Sequence, residues 1–215
     1  MTAIDVAAHL GAVSRVVEDR MHNGEKMRVV IASRAYDTTI EDLWDALTNQ
    51  ERLPRWFAPV EGDFRLGGKY QVKGNAGGTI TACEPPRAFS ITWEIFGGVS
   101  WVNLALEPTK SGGTHLTLEH IQKPVGDHWN KFGPGAVGVG WELGLLGLGM
   151  HVRSREARDS FNEHVWGASD EGKEFVRQSG EGWIAADAKG GETPAAATAR
   201  GKRTIAFYRG EPLPD

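Results

Sequence analysis

The side chains in this sequence that could do chemistry are few, and the histidines come first. His115 and His120 lie five positions apart in an alternating stretch, THLTLEHI. That spacing sends them to opposite faces of a strand, so the two cannot share a metal ion. His120 falls on the face of Leu116 and Leu118. There a histidine is either a satisfied core residue or a polar anchor or general base for a molecule held beside it. His128, in a segment read as loop, is a candidate to join it, and Glu94 and Glu119 are candidate assistants. Tyr70 puts a hydroxyl on an otherwise apolar strand face, where it could orient a ligand. Asp63 and Arg65 read as an exposed ion pair with no chemistry attached.

Other chemistries find no support. Cys83 is the single cysteine, which excludes an internal disulfide and a cysteine-based metal cluster. No phosphate loop or nucleophile elbow is present. The runs GGTITA and GPGAVGVG are glycine-rich but lack the strand–helix context of a nucleotide fingerprint. No cofactor and no metal are expected.

Eight tryptophans are a high count for 215 residues, and large aromatic side chains often line concave sites. Trp44 and Trp93 fit core positions. Trp56, Phe57, Trp101, Trp129 and Trp141 fall at element ends or loops, where the rim of a pocket would be.

The element that must position these residues is the stretch from Pro134 to Arg153, PGAVGVGWELGLLGLGMHVR. At helical spacing Trp141, Leu145, Leu148 and Val152 share one side. Val139, Leu143, Leu146 and Met150 form a second apolar stripe roughly 160° away. Gly140, Gly144 and Gly147 lie between them as a bare track, with Glu142 and Arg153 on the remaining polar strip. A helix with two apolar faces needs something against each. Its five internal glycines cost roughly 1 kcal/mol apiece against alanine, which extensive packing must offset. The reading is a central core helix or one that closes a ligand cavity. The apolar run is too short for a membrane span and contains Glu142.

Before it, Val6, Leu10, Val13 and Val17 are spaced for a short helix, but residues 13–21 equally fit a strand. Asn23-Gly24 favours a hairpin of strands 13–21 and 27–36. In TTIEDLWDALTN, Thr38 and Glu41 fit a capping box, and Ile40, Leu43, Trp44 and Leu47 give the helical period. From Phe64 to Ile121 the period changes to two. Turn signals divide it into strands 69–73, 79–84, 89–96, 101–107 and 114–121. Alternation puts Val102, Leu104 and Leu106 on one face of their strand. Residues 122–135 read as a long loop. Helical pieces follow near 155–163, 170–187 and 195–208, with Thr193-Pro194 as cap and first residue and Gly210 as the stop.

A net charge of −4 argues against general nucleic-acid or anionic-membrane binding. The N-terminus lacks the basic start and apolar run of a signal peptide, so the cytoplasm is the expected location.

Several strings now carry a resemblance: ASRAYDTTIEDLWDALTNQERLPRWFAP, GDFRLGGKYQV, GGTITACEPPRAFSITWE, GTHLTLEH and KFGPGAVGVGWELGLLGLGMH. The sequence resembles the START-related helix-grip proteins of the SRPBCC superfamily. Within it the chain is similar to the group named after the activator of the heat-shock-protein-90 ATPase, in an actinobacterial-type subgroup with a C-terminal extension. The resemblance implies a curved antiparallel sheet gripping the long helix with a cavity between. Members bind lipids, hormones, polyketides or other apolar molecules, and some are enzymes. Co-chaperones of the group carry a separate N-terminal domain. Here about 26 residues precede the first matching core strand, which counts against that role.

The expectation is therefore an α+β helix-grip fold with an N-terminal segment (1–12), a START-like domain (13–153) and a helical extension (154–215). The extension would pack on the same domain or on a partner subunit. The expected function is binding a small apolar or aromatic molecule between sheet and helix 136–152. The ligand-lining residues would be Trp56, Phe57, Tyr70, Trp93, Trp101, Leu104, Leu118, His120, Trp129, Trp141 and Leu145. A cyclase- or hydrolase-like enzyme using His120, and a homodimerising interaction or stress-response module, are the alternatives.

Overall fold

Asn23 and Gly24 take φ angles of 51° and 79°, the double left-handed turn that reverses a strand in two residues. They join β1 (Ser14–His22) to β2 (Glu25–Tyr36). The structure is a computed structural model and describes residues 5–154 and 163–214. A short helix, α1 (Val6–Gly11), precedes the hairpin, so the two readings of the N-terminus each hold for part of it. After β2 come α2 (Ile40–Thr48) and a single 3-10 turn (Leu53–Arg55). Then β3 (Val60–Gly62), β4 (Lys69–Val72), β5 (Gly77–Glu84), β6 (Ala88–Ile95), β7 (Gly98–Pro108) and β8 (Thr114–Gln122) follow as a meander.

These strands make one eight-stranded antiparallel sheet in the order β1-β2-β8-β7-β6-β5-β4-β3, an α+β architecture of the helix-grip class. The meander thus returns β8 to lie beside β2. β3 was not anticipated, because three residues are too few to show a period.

The chain packs into two units, one of Met1–Ala32, Lys123–Leu143 and Phe161–Asp215, the other of Ser33–Gln122 and Gly144–Ser160. In the second unit α2 starts on Thr39, whose side chain accepts from the Asp42 amide at 3.3 Å. The cap expected at Thr38 is shifted by one. Thr38 instead donates its hydroxyl proton to the Asp42 carboxylate at 2.7 Å. Leu43, Ala46 and Leu47 form the buried side of this helix.

The expected loop at 122–135 contains a helix, α3 (Gly126–Phe132), with Trp129 and Phe132 buried. Its flanking glycines and prolines hide the period. The long helix α4 spans Gly135–Arg153. Later helices are α5 (Glu163–Ala168), α6 (Asp170–Lys189) and α7 (Pro194–Tyr208). α6 and α7 are capped by Ser169 and Thr193. The helical piece expected near 155–163 lies almost wholly outside the described residues. No helix of the described residues is long and apolar enough to cross a membrane.

Within the first unit, the early turns of α4 are covered by aromatic side chains from the C-terminal helices. A Cβ at Gly138 would lie 2.3 Å from the Trp183 ring, and one at Gly140 would lie 2.7 Å from the Tyr208 hydroxyl. Tyr208 donates that hydroxyl proton to the Ala136 carbonyl at 2.6 Å. The bare track read at Gly140, Gly144 and Gly147 is therefore only partly used. Gly138, outside that track, is approached more closely than Gly140, and a Cβ at Gly144 would meet nothing within 4 Å. Glu142 also departs from its expected place on a polar strip. It is 0% exposed and held in a bidentate pair by Arg15 Nε at 2.6 Å and Nη2 at 2.7 Å. Arg15 gives further hydrogen bonds to the Val13 and Leu10 carbonyls, so the buried charge is fully partnered.

In the second unit, the late turns of α4 rest on β2. Tyr36 donates to the Leu145 carbonyl at 3.1 Å. A Cβ at Gly149 would stand 3.6 Å from the Tyr36 ring and 3.7 Å from the Arg34 guanidinium. Arg34 in turn lies 4.6 Å over that ring.

Two alanine substitutions in the same helix should move stability in opposite directions. Gly138→Ala drives a methyl into the Trp183 ring and should destabilise by about 1–3 kcal/mol, the range for overpacking. Gly144→Ala meets open space and should stabilise by about 0.5–1 kcal/mol through helix propensity. Urea unfolding of each variant measures both. A Gly138→Ala variant at least as stable as wild type would show that Trp183 does not constrain Gly138, and a destabilised Gly144→Ala would show that the space at Gly144 is not open.

Candidate functional site

Strands β6, β7 and β8 run in unbroken register, with Val102 opposite Ile91 and His120, and Leu104 opposite Phe89 and Leu118. Paired residues share a face, so Phe89, Ile91, Val102, Leu104, Leu106, Leu116 and Leu118 form one apolar surface. Trp93, Ser100 and His120 lie on that face toward one end of it. Trp44 of α2 covers the other end, its ring edge-on to Phe89 with centroids 5.9 Å apart. On β7 and β8 this surface is fully buried, whereas Phe89, Ile91 and Trp93 on β6 are only half-buried.

His120 is 2% exposed. Its Nε2 lies 2.9 Å from Ser100 Oγ, and its ring meets Trp93 edge-on at 6.3 Å. Ser100 has one proton, which it donates to the Trp93 carbonyl at 3.1 Å. Which partner donates in the His120–Ser100 contact is set by which imidazole nitrogen carries the proton. Burial pushes the His120 pKa down to about 4, because an imidazolium here would lose its hydration.

Tyr70, on β4, pairs with Gly78 of β5. The ladder between β5 and β6 is interrupted there. The Thr79 amide bonds to Thr92 Oγ1 at 2.8 Å, and the Thr92 carbonyl receives the Tyr70 hydroxyl at 2.6 Å. A Cβ at Gly78 would stand 2.1 Å from that carbonyl oxygen, so the arrangement requires glycine. Burial raises the Tyr70 pKa, with Glu94 adding to the effect. Its proton stays on the phenol and is committed to the sheet, unlike the free orienting hydroxyl read from the sequence.

The remaining expected residues separate. Trp101 pairs with Thr92 and Ile121, which places it on the face away from His120. By the same alternation Glu94 and Glu119 also leave the His120 face, and Glu119 accepts from Asn103 at 3.3 Å. Trp56 is buried, donates its indole proton to the Ala46 carbonyl at 2.9 Å and packs on Phe57 with ring centroids 5.5 Å apart. Leu145 is buried, and its carbonyl is the acceptor for Tyr36. Trp129, Trp141 and His128 belong to the other unit. There Trp129 is buried on α3, Trp141 is half-buried on α4, and His128 is exposed with its ring 5.1 Å from Phe132.

Sequence reasoning missed Ser100, although it lies in phase with Val102 and Leu104. It also missed a second buried histidine, His151, whose Nε2 accepts from Arg52 Nε at 3.1 Å. Arg52 is anchored by Asp42 and Asp45 at 2.9 and 2.8 Å. A guanidinium only donates, so His151 Nε2 is the acceptor in this bond.

The chain matches the family described as Activator of Hsp90 ATPase homolog 1-like protein over residues 37–149. The crystal structure of CalU16 from Micromonospora echinospora is similar with a TM-score of 0.66 and 33% sequence identity, covering 81% of this chain and 98% of that one. The solution structure of the same protein gives a TM-score of 0.66 over 83% and 97% of the two chains. Protein MLL2253 from Mesorhizobium loti shares the fold at 23% identity and a TM-score of 0.51, over 63% and 99%. No functionally curated protein matches the chain.

The depressed His120 pKa sets a pH dependence. Above an unfolded-state value of 6.5 both folded and unfolded chains hold the imidazole neutral. Between 6.5 and about 4 only the unfolded chain takes up the proton, so stability falls as pH falls, by about 3 kcal/mol across the window. His120→Gln removes this component. The stability difference between wild type and variant, from urea unfolding at pH 7 and pH 4, should shrink by that amount. An unchanged difference would mean that His120 titrates normally.

Proposed function

Since the chain belongs to the activator of Hsp90 ATPase homolog 1-like family, we propose that it binds a small apolar or aromatic molecule against the His120 face of its sheet. The fold family is one that binds small ligands or partner proteins. In this reading the ligand lies along β6–β8, beside the 144–152 part of the long helix. The observation that carries it is the unequal burial of one continuous apolar surface. Phe89, Ile91 and Trp93 retain exposure that Val102, Leu104 and Leu118 have lost, directly beside a satisfied and uncharged polar group. Covering such surface yields about 25 cal/mol per Å², less the ordering terms of association. Apolar walls with a few placed polar groups are the usual make-up of small-molecule sites.

One observation favours a second reading, a hydrolase- or cyclase-like enzyme. A serine oxygen 2.9 Å from a histidine nitrogen has the reach of a nucleophile and its base. The lowered basicity of His120 and the engagement of the Ser100 proton with a carbonyl weigh toward binding.

The test is titration with the neutral fluorescent probe N-phenyl-1-naphthylamine, together with native mass spectrometry of freshly purified protein for a retained small molecule. Wild type should bind the probe saturably. Ile91→Trp, which fills the half-exposed row, should weaken it at least tenfold. Trp101→Ala, on the opposite face, should leave it within twofold. Absence of saturable binding in the wild type, or equal loss in both variants, overturns the proposal. Turnover of an ester or cyclisable substrate that is lost in His120→Gln while probe affinity stays constant would support the enzyme instead.

A further inference from the structure

β8 ends on Gln122, a polar residue that follows His120 by two positions and so shares its face with Leu116 and Leu118. The pairing of Trp101 with Ile121 and of Val102 with His120 sets Gln122 across from Ser100. Trp93, opposite Ser100 on β6, completes that cross-strand row. The neighbouring row is Ile91, Val102 and His120, and the next is Phe89, Leu104 and Leu118. The face therefore grades from apolar to polar along the strands, with Gln122 in its last row.

The polar groups around Gln122 are engaged with the protein. Tyr70 donates to the Thr92 carbonyl at 2.6 Å, Ser100 reaches the Trp93 carbonyl at 3.1 Å, and His120 lies 2.9 Å from Ser100. Gln122 differs from them. Its Nε2 is buried and meets no hydrogen-bond partner among the described residues, although the residue as a whole is only half-buried. That nitrogen carries two N–H donors and accepts nothing. A buried donor without an acceptor weakens a fold, and an unbranched apolar side chain such as methionine would fill the same length without it. An unmatched polar group of this kind, next to apolar surface that is itself only part-covered, calls for an occupant that supplies the missing acceptor.

We propose that Gln122 is the specificity-determining residue of this face: its amide N–H donates to a carbonyl or ether oxygen carried at one end of an otherwise apolar or aromatic ligand. The proposal rests on the binding reading above and specifies the polar substituent of the ligand. The oxygen sits in the Trp93–Ser100–Gln122 row, and the apolar body extends over the half-buried Ile91 and Phe89. A ligand without the oxygen leaves the amide unmatched, so the site discriminates by hydrogen bonding rather than by size alone.

The test uses 2-acetylnaphthalene and 2-isopropenylnaphthalene, which share a shape and differ by oxygen against methylene. Each is titrated at pH 7 by displacement of N-phenyl-1-naphthylamine, and the ratio of the two affinities is compared between proteins, which cancels the compounds' own difference in hydration. The ratio should shift against the ketone by at least about fivefold from wild type to Gln122→Met, and by less than about twofold in Trp101→Ala. Gln122→Glu keeps the length but offers only oxygen acceptors at pH 7, so it should lose the preference as well. Cooperative urea unfolding checks that each variant is folded. An unchanged ratio in Gln122→Met, or a loss shared equally by both compounds, shows that the amide answers to solvent or to packing and overturns the proposal. A Gln122→Glu variant with the wild-type ratio shows that the amide oxygen does the reading and overturns it too. Both results leave the binding reading intact, whereas failure of the wild type to bind the fluorescent probe or either naphthalene overturns that reading.

Discussion

A helix with five internal glycines and apolar residues on two sides has no stability of its own to spare. Each glycine carries about 1 kcal/mol of unfavourable propensity relative to alanine, and neighbours fill the space left at three of the five. Trp183 occupies the space over Gly138, Tyr208 that over Gly140, and Tyr36 with Arg34 that over Gly149. Two tyrosine hydroxyls reach helix carbonyls at Ala136 and Leu145. The buried Glu142 would be untenable without the two-pronged grip of Arg15. Such contacts are specific in direction, so they fix the rotation of the helix about its own axis.

The site obeys the same accounting of small groups in tight places. His120 is tolerable in an apolar row because its Nε2 is hydrogen-bonded to a serine whose hydroxyl also reaches the main chain. Tyr70 is tolerable because an irregular stretch of ladder frees a carbonyl for it. Buried polar groups of this kind are stable only when every proton has a destination.

Much of this is legible in the residue types and their spacing. Asn23-Gly24 announces its hairpin, the spacing in TIEDLWDAL announces α2, and the alternation of Val102, Leu104 and Leu106 with Leu116, Leu118 and His120 states the face correctly. What was hidden depends on partners far away in the chain. Nothing near Glu142 reveals that Arg15, 127 positions earlier, will bury it. The aromatic cover of Gly138 comes from Trp183, beyond the stretch whose period defines the helix. Tyr70 looked available because its acceptor is a main-chain oxygen released by a local irregularity, and residue types carry no trace of that. Trp101 looked like a rim residue from its place at a strand end. The pairing with Ile121 shows why position along a strand says nothing of the face.

Gly78 has a significance beyond its own backbone. With 2.1 Å between a hypothetical Cβ and the Thr92 oxygen, the position admits no other amino acid while the phenol of Tyr70 holds that oxygen. Glycine and tyrosine thus act on one main-chain oxygen from two sides, the first by leaving it room and the second by donating to it.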